Sequence, residues 1–355
     1  LLFEYFIKNF DSDKKIEFSV NMALYLCYYL RINDKEVRYK LKENLKEKLK
    51  EFSQNENFLK IPETQVENIT KQMVLDESKG IALNRALREN LFTIFICITN
   101  KIPLIIVGKP GTSKSLSIQI VYNTMKGKNS ENEFFKDKGK IYRYYYQGSE
   151  ASTAEGIKQV FDKAKKNQDS SKNNDINLVF FDEMGLAERS SNNPLKVIHY
   201  LLERDQQNSV PFLGISNWKL DASKINRALN LSITDYDIND LKETANSIAE
   251  ALDSEFSNKY KELFEGLTKT YNEYIISKRQ DIQENRDFHG NRDFYNLIKN
   301  AMRELINKKK FLKAFERNKK KEKNLLIRIG LESLERNFDG LEDSVDRIKN
   351  IFKKI

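Results

Sequence analysis

One stretch constrains this chain more than any other: residues 102–117, IPLIIVGKPGTSKSLS. An apolar, β-branched run (Leu104, Ile105, Ile106, Val107) meets a turn built on Gly108, Pro110 and Gly111, and Lys114-Ser115 then opens a segment with helical apolar spacing. A strand, a small-residue turn and a helix in that order form a phosphate-binding loop. Small residues let successive backbone N–H groups converge on phosphate oxygens, and the following helix turns its positive end to the same anion. In the pattern G-x-x-x-x-G-K-[ST] the lysine reaches the β- and γ-phosphates and the hydroxyl holds Mg²⁺, so a purine nucleotide, ATP or GTP, with Mg²⁺ is expected. Gly108, Pro110, Gly111, Thr112, Ser113, Lys114, Ser115 and Leu116 are the candidate cradle. Ser113 stands where the pattern has its second glycine. If the loop needs a left-handed backbone there, serine costs about 1 kcal/mol or more.

A second motif supplies acids. Leu178-Val179-Phe180-Phe181-Asp182-Glu183 reads as a buried parallel strand whose carboxyl end reaches an active site. Asp182 is the candidate metal ligand, and Glu183 the group that orients and deprotonates water. Set against this is a core strand that ends in an acidic turn. A further strand, Val210 to Ser216, ends in Asn217, an amide suited to contact the γ-phosphate or the nucleophilic water. Arg227 follows at the end of a short helix, before a strand from Leu229 to Ile233. It is expected to point away from its own site, as an arginine finger supplied to a neighbour, with a solvated helix-end arginine as the alternative. His289 to Leu297 starts a helix after Gly290, with Arg292 in its first turn. A cation gains nothing from the helix dipole there, so Arg292 is expected to reach a nucleotide phosphate from a lid.

The other segments organise around these. Leu2, Phe3, Phe6 and Ile7 share a helical face, Val20 to Leu30 and Val37 to Phe52 continue as helices, and residues 53–57 read as a polar linker. Residues 81–98 form the strongest apolar helix before the loop, and Leu116 to Met125 the helix after it. Ile141 to Gln147 (IYRYYYQ) is expected as a strand, with base stacking as the competing use of its tyrosines. Ser149 to Ala164 is expected as a helix with a serine or threonine cap, followed by a polar loop over residues 167–175. The boundaries expected are a helical segment at 1–55, the end of a preceding module; a large α/β domain at 60–236; and a helical lid at 237–355.

Composition excludes several alternatives. With 355 residues, 39% hydrophobic and 32% charged, the chain can bury two cores. Two cysteines, Cys27 and Cys97, and two histidines, His199 and His289, supply no zinc spacing and no Cys-His nucleophile. So few cysteines suit a reducing compartment, and the cytoplasm is the expected location. The apolar run from Leu91 to Ile98 falls far short of the ~20 residues a membrane span needs, and no signal peptide is visible. The net charge of +9 comes largely from lysines spread along helices, including Lys308 to Lys323, and nucleic acid is disfavoured as a partner. The chain begins Leu1-Leu2 without methionine, the mark expected of a piece of something longer.

The blocks GKPGTSKSLS, SEASTAEGI, FFDEMGLAERSSNNPLKVIHYLLE, FLGISNWKLDASKINRAL and GNRDFYNLI resemble the central ATPase modules of the mysterin family, giant AAA+ ubiquitin ligases related to dynein-type rings. The resemblance spans about residues 70 to 345. It implies a P-loop AAA+ fold with a parallel sheet, a helical lid and an N-terminal helical segment. It also implies that Lys114 and Ser115 bind phosphate and Mg²⁺, that Asp182 and Glu183 are the Walker B pair, and that Asn217 is sensor 1. Arg227 would be the arginine finger and Arg292 sensor 2. Ser113 belongs to this family's own loop. The partners implied are neighbouring AAA+ modules of the same longer chain or ring. The zinc clusters of ubiquitin transfer are not encoded here. Three functions stand: an ATPase that drives or gates conformational change, a structural module that holds nucleotide with little hydrolysis, and a nucleic-acid motor.

Overall fold

The computed structural model describes residues 15–49, 60–170, 175–203, 210–280, 289–340 and 343–355. The expected face of Leu2, Phe3, Phe6 and Ile7 and the linker at 53–57 lie outside the described residues, as do positions 171–174 of the expected polar loop. The chain divides into two compact units, residues 1–74 with 86–235 and residues 75–85 with 236–355.

The first unit is built on five parallel strands: β1 (Leu104–Val107), β2 (Ile141–Gln147), β3 (Ile176–Asp182), β4 (Phe212–Ser216) and β5 (Leu229–Ser232), in the order β2-β3-β4-β1-β5. β3 and β4 are buried along their length, apart from Asp182, and mostly apolar, with Asn177 and Ser216 as buried polar members, because helices cover both faces of a parallel sheet. β2 is an edge strand with mixed burial, so Tyr142 and Tyr145 are exposed, while Tyr146 packs edge-on to Phe181 with ring centroids 4.9 Å apart. These tyrosines therefore sit in a sheet strand.

Around the sheet lie α1 (Lys15–Cys27), α2 (Lys35–Leu49), α3 (Lys60–Thr70), α4 (Arg85–Thr99), α5 (Lys114–Thr124), α6 (Ala154–Ser170), α7 (Met184–Glu188), α8 (Lys196–Leu201) and α9 (Ala222–Ile225). α4 is buried almost all round from Ala86 to Ile98, which explains why its sequence is apolar beyond one face. α1 and α2, expected as a separate segment, belong to this same unit. A buried ion pair ties them in: Arg38 Nη1 lies 3.2 and 3.1 Å from the two carboxylate oxygens of Glu89, and both residues are at most 6% exposed.

α6 begins later and ends later than the sequence suggested. Residues 149–152 close a turn in which Ser152 Oγ accepts the Ser149 amide at 2.9 Å, and Thr153 then caps the helix by accepting the Gly156 amide. Its last turn reaches Ser170 because Asn167 donates to the Tyr144 hydroxyl and Gln168 Oε1 accepts the Asn177 amide at 3.1 Å. Tertiary partners thus hold helical residues whose polarity alone reads as loop.

The second unit is helical. Its main members are α10 (Ile238–Leu252), α11 (Ser254–Lys259), α12 (Lys261–Gln280), α13 (Asn291–Asn307), α14 (Lys309–Phe315), α15 (Lys319–Phe338) and α16 (Ser344–Lys354). Asp237 and Asp240 form a capping box at the head of α10. The core gathers Leu267, Tyr271, Tyr274, Phe294, Leu297 and Phe338, with Tyr271 stacked on Phe294 at 4.8 Å. Gly290 opens α13, its amide donating to Asp293 Oδ2 at 2.8 Å, and Arg292 is exposed in the first turn.

Candidate functional site

At the carboxyl end of β1 the chain turns through Gly108 to Ser113 into α5. Gly111 takes φ 80° and Ser113 takes φ 60°, ψ 19°. The left-handed conformation anticipated for the second glycine position is therefore present, with serine bearing it. Thr112 is buried, its hydroxyl donating to the Lys109 carbonyl at 2.7 Å and its carbonyl accepting from Asn90 at 3.5 Å. A side chain at Gly108 would meet Thr112 Oγ1 at 2.9 Å and Ile233 at 3.0 Å, so a larger residue where the loop leaves the sheet would force these side chains to shift. Lys114 is buried across the loop, and its ammonium donates to the carbonyls of Gly108 and Lys109. Ser115 is exposed in the first turn of α5. Hydroxyl and carboxylate oxygens are the hard donors that Mg²⁺ takes, so Ser115 and Asp182 fit such an ion.

Asp182 ends β3, and Glu183 follows with φ 51°, ψ 43°, a left-handed residue at the head of α7. A non-glycine residue in that region costs roughly 1–3 kcal/mol and persists only when its surroundings over-determine it. Those surroundings are visible. Asp182 Oδ1 accepts the Glu183 amide at 2.9 Å, and Asn217 Nδ2 donates to Glu183 Oε2 at 2.9 Å. Gly148, just past β2, donates its amide to the Asp182 carbonyl at 2.8 Å and leaves no room for a Cβ against the Glu183 carbonyl. The Gly108 amide donates to the Ser216 carbonyl at 3.2 Å, so the loop, the acids and Asn217 meet at the ends of β1, β3 and β4.

Two arginines were also expected to serve such a site. Arg227 is half-exposed and turned onto its own chain, its guanidinium donating to Glu203 and to the His199 carbonyl. The expected outward-pointing arginine is thus held in an ion pair. Arg292 belongs to the second unit.

Several neighbours of the acids escaped the sequence reading. Tyr145, exposed on β2, donates to Gln147, and burial together with the charges of Asp182 and Glu183 raises its pKa. Met184 is fully buried with its sulfur against Gly214 of β4, and Gly185 packs against the Trp218 indole. A glycine inside an otherwise apolar strand was the available sign of such close approach at Gly214.

A five-stranded parallel sheet in this order, with a phosphate-type loop after β1, which lies between β4 and β5, and an acidic pair after β3, defines an AAA+ P-loop domain. Residues 80–240 match the family described as RNF213 AAA domain. The human E3 ubiquitin-protein ligase RNF213 is 38% identical over 229 residues, 62% of this chain and 4% of that protein. Danio rerio rnf213-beta, an E3 ubiquitin-protein ligase, is 35% identical over 287 residues, 78% of this chain and 5% of that protein. The chain therefore carries an AAA+ module of the mysterin (RNF213) family, and it spans only 4–5% of the length of these relatives. Among solved structures, two variant forms of Thermotoga maritima RuvB align with TM-scores of 0.39 and 0.37 at 14% and 13% identity, covering 64% and 75% of this chain and 66% and 85% of theirs. No helix among the described residues is long and apolar enough to cross a membrane.

Proposed function

We propose that this module binds ATP with Mg²⁺ and hydrolyses it, and that the cycle drives or gates conformational change in a larger mysterin-like assembly. The observation that carries the reading is the 2.9 Å hydrogen bond from Asn217 to Glu183, formed where β4 also receives the phosphate-type loop. A carboxylate aimed by an amide beside a phosphate cradle suits water activation better than simple retention of nucleotide. Lys114 would exchange its loop carbonyls for phosphate oxygens, while Ser115 and Asp182 would hold the metal. When bound, Mg²⁺ supplies charge neutralisation on the β- and γ-phosphates. Glu183 would orient and deprotonate the attacking water, and Asn217 would fix that carboxylate. In this reading Arg227 is a finger delivered to a neighbouring AAA+ module of the same longer chain or ring, and Arg292 keeps the sensor 2 role. The cytoplasm is the proposed location, and ubiquitin transfer is assigned elsewhere.

A structural module that retains nucleotide is the second reading. It is favoured by the strained Ser113 and by the ion pair that occupies Arg227.

The test is ATP turnover by the purified chain beside Glu183→Gln and Lys114→Ala, with bound nucleotide assayed in each. Turnover lost in both, with nucleotide retained in Glu183→Gln alone, is the expected result. Nucleotide bound without turnover in any form favours the structural module, and no difference between wild type and Lys114→Ala refutes both.

A further inference from the structure

Helix α7, which carries Glu183 at its head, is seated on β4 at two points. One is Met184 against Gly214. The other is Gly185, where an added Cβ would lie 2.6 Å from Trp218 Cε2 and Cζ2 and 2.9 Å from Ser216 Oγ. The turn that presents the indole is closed locally: Ser216 Oγ donates to the Trp218 carbonyl at 2.6 Å and accepts its amide at 3.3 Å. The Arg189 guanidinium, one residue past α7, stacks on the ring 4.5 Å from its centroid. Farther along the same loop, the Asp221 amide donates to Glu188 Oε1 at 2.9 Å. Trp218 is covalently next to Asn217, which grips the Glu183 carboxylate. One residue of the pair thus holds the backbone of α7 two positions past Glu183, and the other holds the Glu183 side chain.

We propose that Trp218 is a positioning residue for Glu183: its indole, packed against α7 and clamped by Arg189, sets the aim of the carboxylate and senses its state. This inference rests on the reading of Glu183 as the group that activates water. The left-handed backbone of Glu183 does not maintain itself and needs packing that leaves α7 no alternative seat. Without the indole, α7 can settle toward β4, and an error of ~1 Å in a reacting group costs on the order of 100-fold in rate. The phosphate loop meets this strand through the Gly108 amide and the Ser216 carbonyl, both backbone groups, so ATP affinity is expected to be left alone.

Trp218 is the sole tryptophan of the chain, so its emission reports this position without labelling. The experiment measures ATP turnover, ATP binding by equilibrium dialysis with Mg²⁺, and tryptophan emission for the full chain, Trp218→Ala, Trp218→Phe and Asn217→Ala. In Trp218→Ala, kcat is expected to fall ~10- to 100-fold with the Kd for ATP within about twofold, and Trp218→Phe is expected to recover part of the loss. ATP is expected to change the emission of the wild type, and Asn217→Ala to abolish that change while still binding ATP. Unchanged kcat in Trp218→Ala, or kcat and affinity lost together, overturns the inference. So does an emission that ignores bound ATP, and this arm decides alone where the wild type binds without turnover. A wild type that binds no ATP overturns the proposed function and this inference with it, whereas binding and turnover that survive Trp218→Ala overturn this inference only.

Discussion

Gly148→Ala places one methyl group where β2 meets the acidic pair. The Cβ would overlap the Glu183 carbonyl oxygen and stand 2.8 Å from its carbonyl carbon and 3.0 Å from the Asp182 carbonyl oxygen. Every obstructing atom is backbone, so no side chain can rotate away. Ordinary carbon contacts lie at about 3.5–4.0 Å, and relief therefore requires a backbone shift of about 1 Å. Either the end of β2 moves, breaking the hydrogen bond from the Gly148 amide to Asp182, or Glu183 moves. Overpacking of this kind costs roughly 1–3 kcal/mol, which in a unit of this size lowers Tm by about 2–12 °C. The kinetic effect is expected to exceed the thermal one, because a ~1 Å displacement of Glu183 removes about 100-fold in turnover. The assay pairs a thermal scan with ATP turnover at saturating ATP. A variant within threefold of wild-type turnover and unchanged in Tm would refute the claim that the end of β2 fixes Glu183.

Other perturbations have equally defined outcomes. Ser113→Gly relieves a left-handed residue worth about 1–2 kcal/mol and adds about 0.5–1 kcal/mol of chain entropy, so denaturant unfolding should show a net gain of about 0.5–1 kcal/mol, and a loss would contradict the strain at φ 60°. Glu89→Ala leaves the buried Arg38 charge unpaired and is expected to cost about 3–5 kcal/mol in the same measurement; a cost under 1 kcal/mol would mean that α2 does not depend on this pair. Burial raises the Asp240 pKa against the pull of Arg85. The acid therefore favours the folded state most below about pH 4, the unfolded value, and that contribution is lost as pH rises through the elevated folded value. The Tm of wild type minus that of Asp240→Asn should accordingly fall between pH 4 and pH 7, and a difference that grows with pH would reverse the assignment.

Sequence alone was enough for whatever is encoded contiguously. The apolar runs of β1 and β3, the turn after β1, the acids after β3 and the amide after β4 each lie within one short segment, and local chemistry dictates their form. Even the left-handed Ser113 was foreseeable from the glycine it replaces. Tertiary structure decided the contacts between segments distant in the chain. It joined α1 and α2 to the α/β unit through Arg38 and Glu89, extended α6 to Ser170 through partners on β2 and β3, and turned Arg227 onto Glu203. It also made Gly148, Gly185 and Gly214 the seats of Glu183, Trp218 and Met184. A glycine in a sequence marks a place where something comes close, but the approaching atom belongs to another strand or helix. Its identity follows from packing, which leaves no periodic trace in either segment.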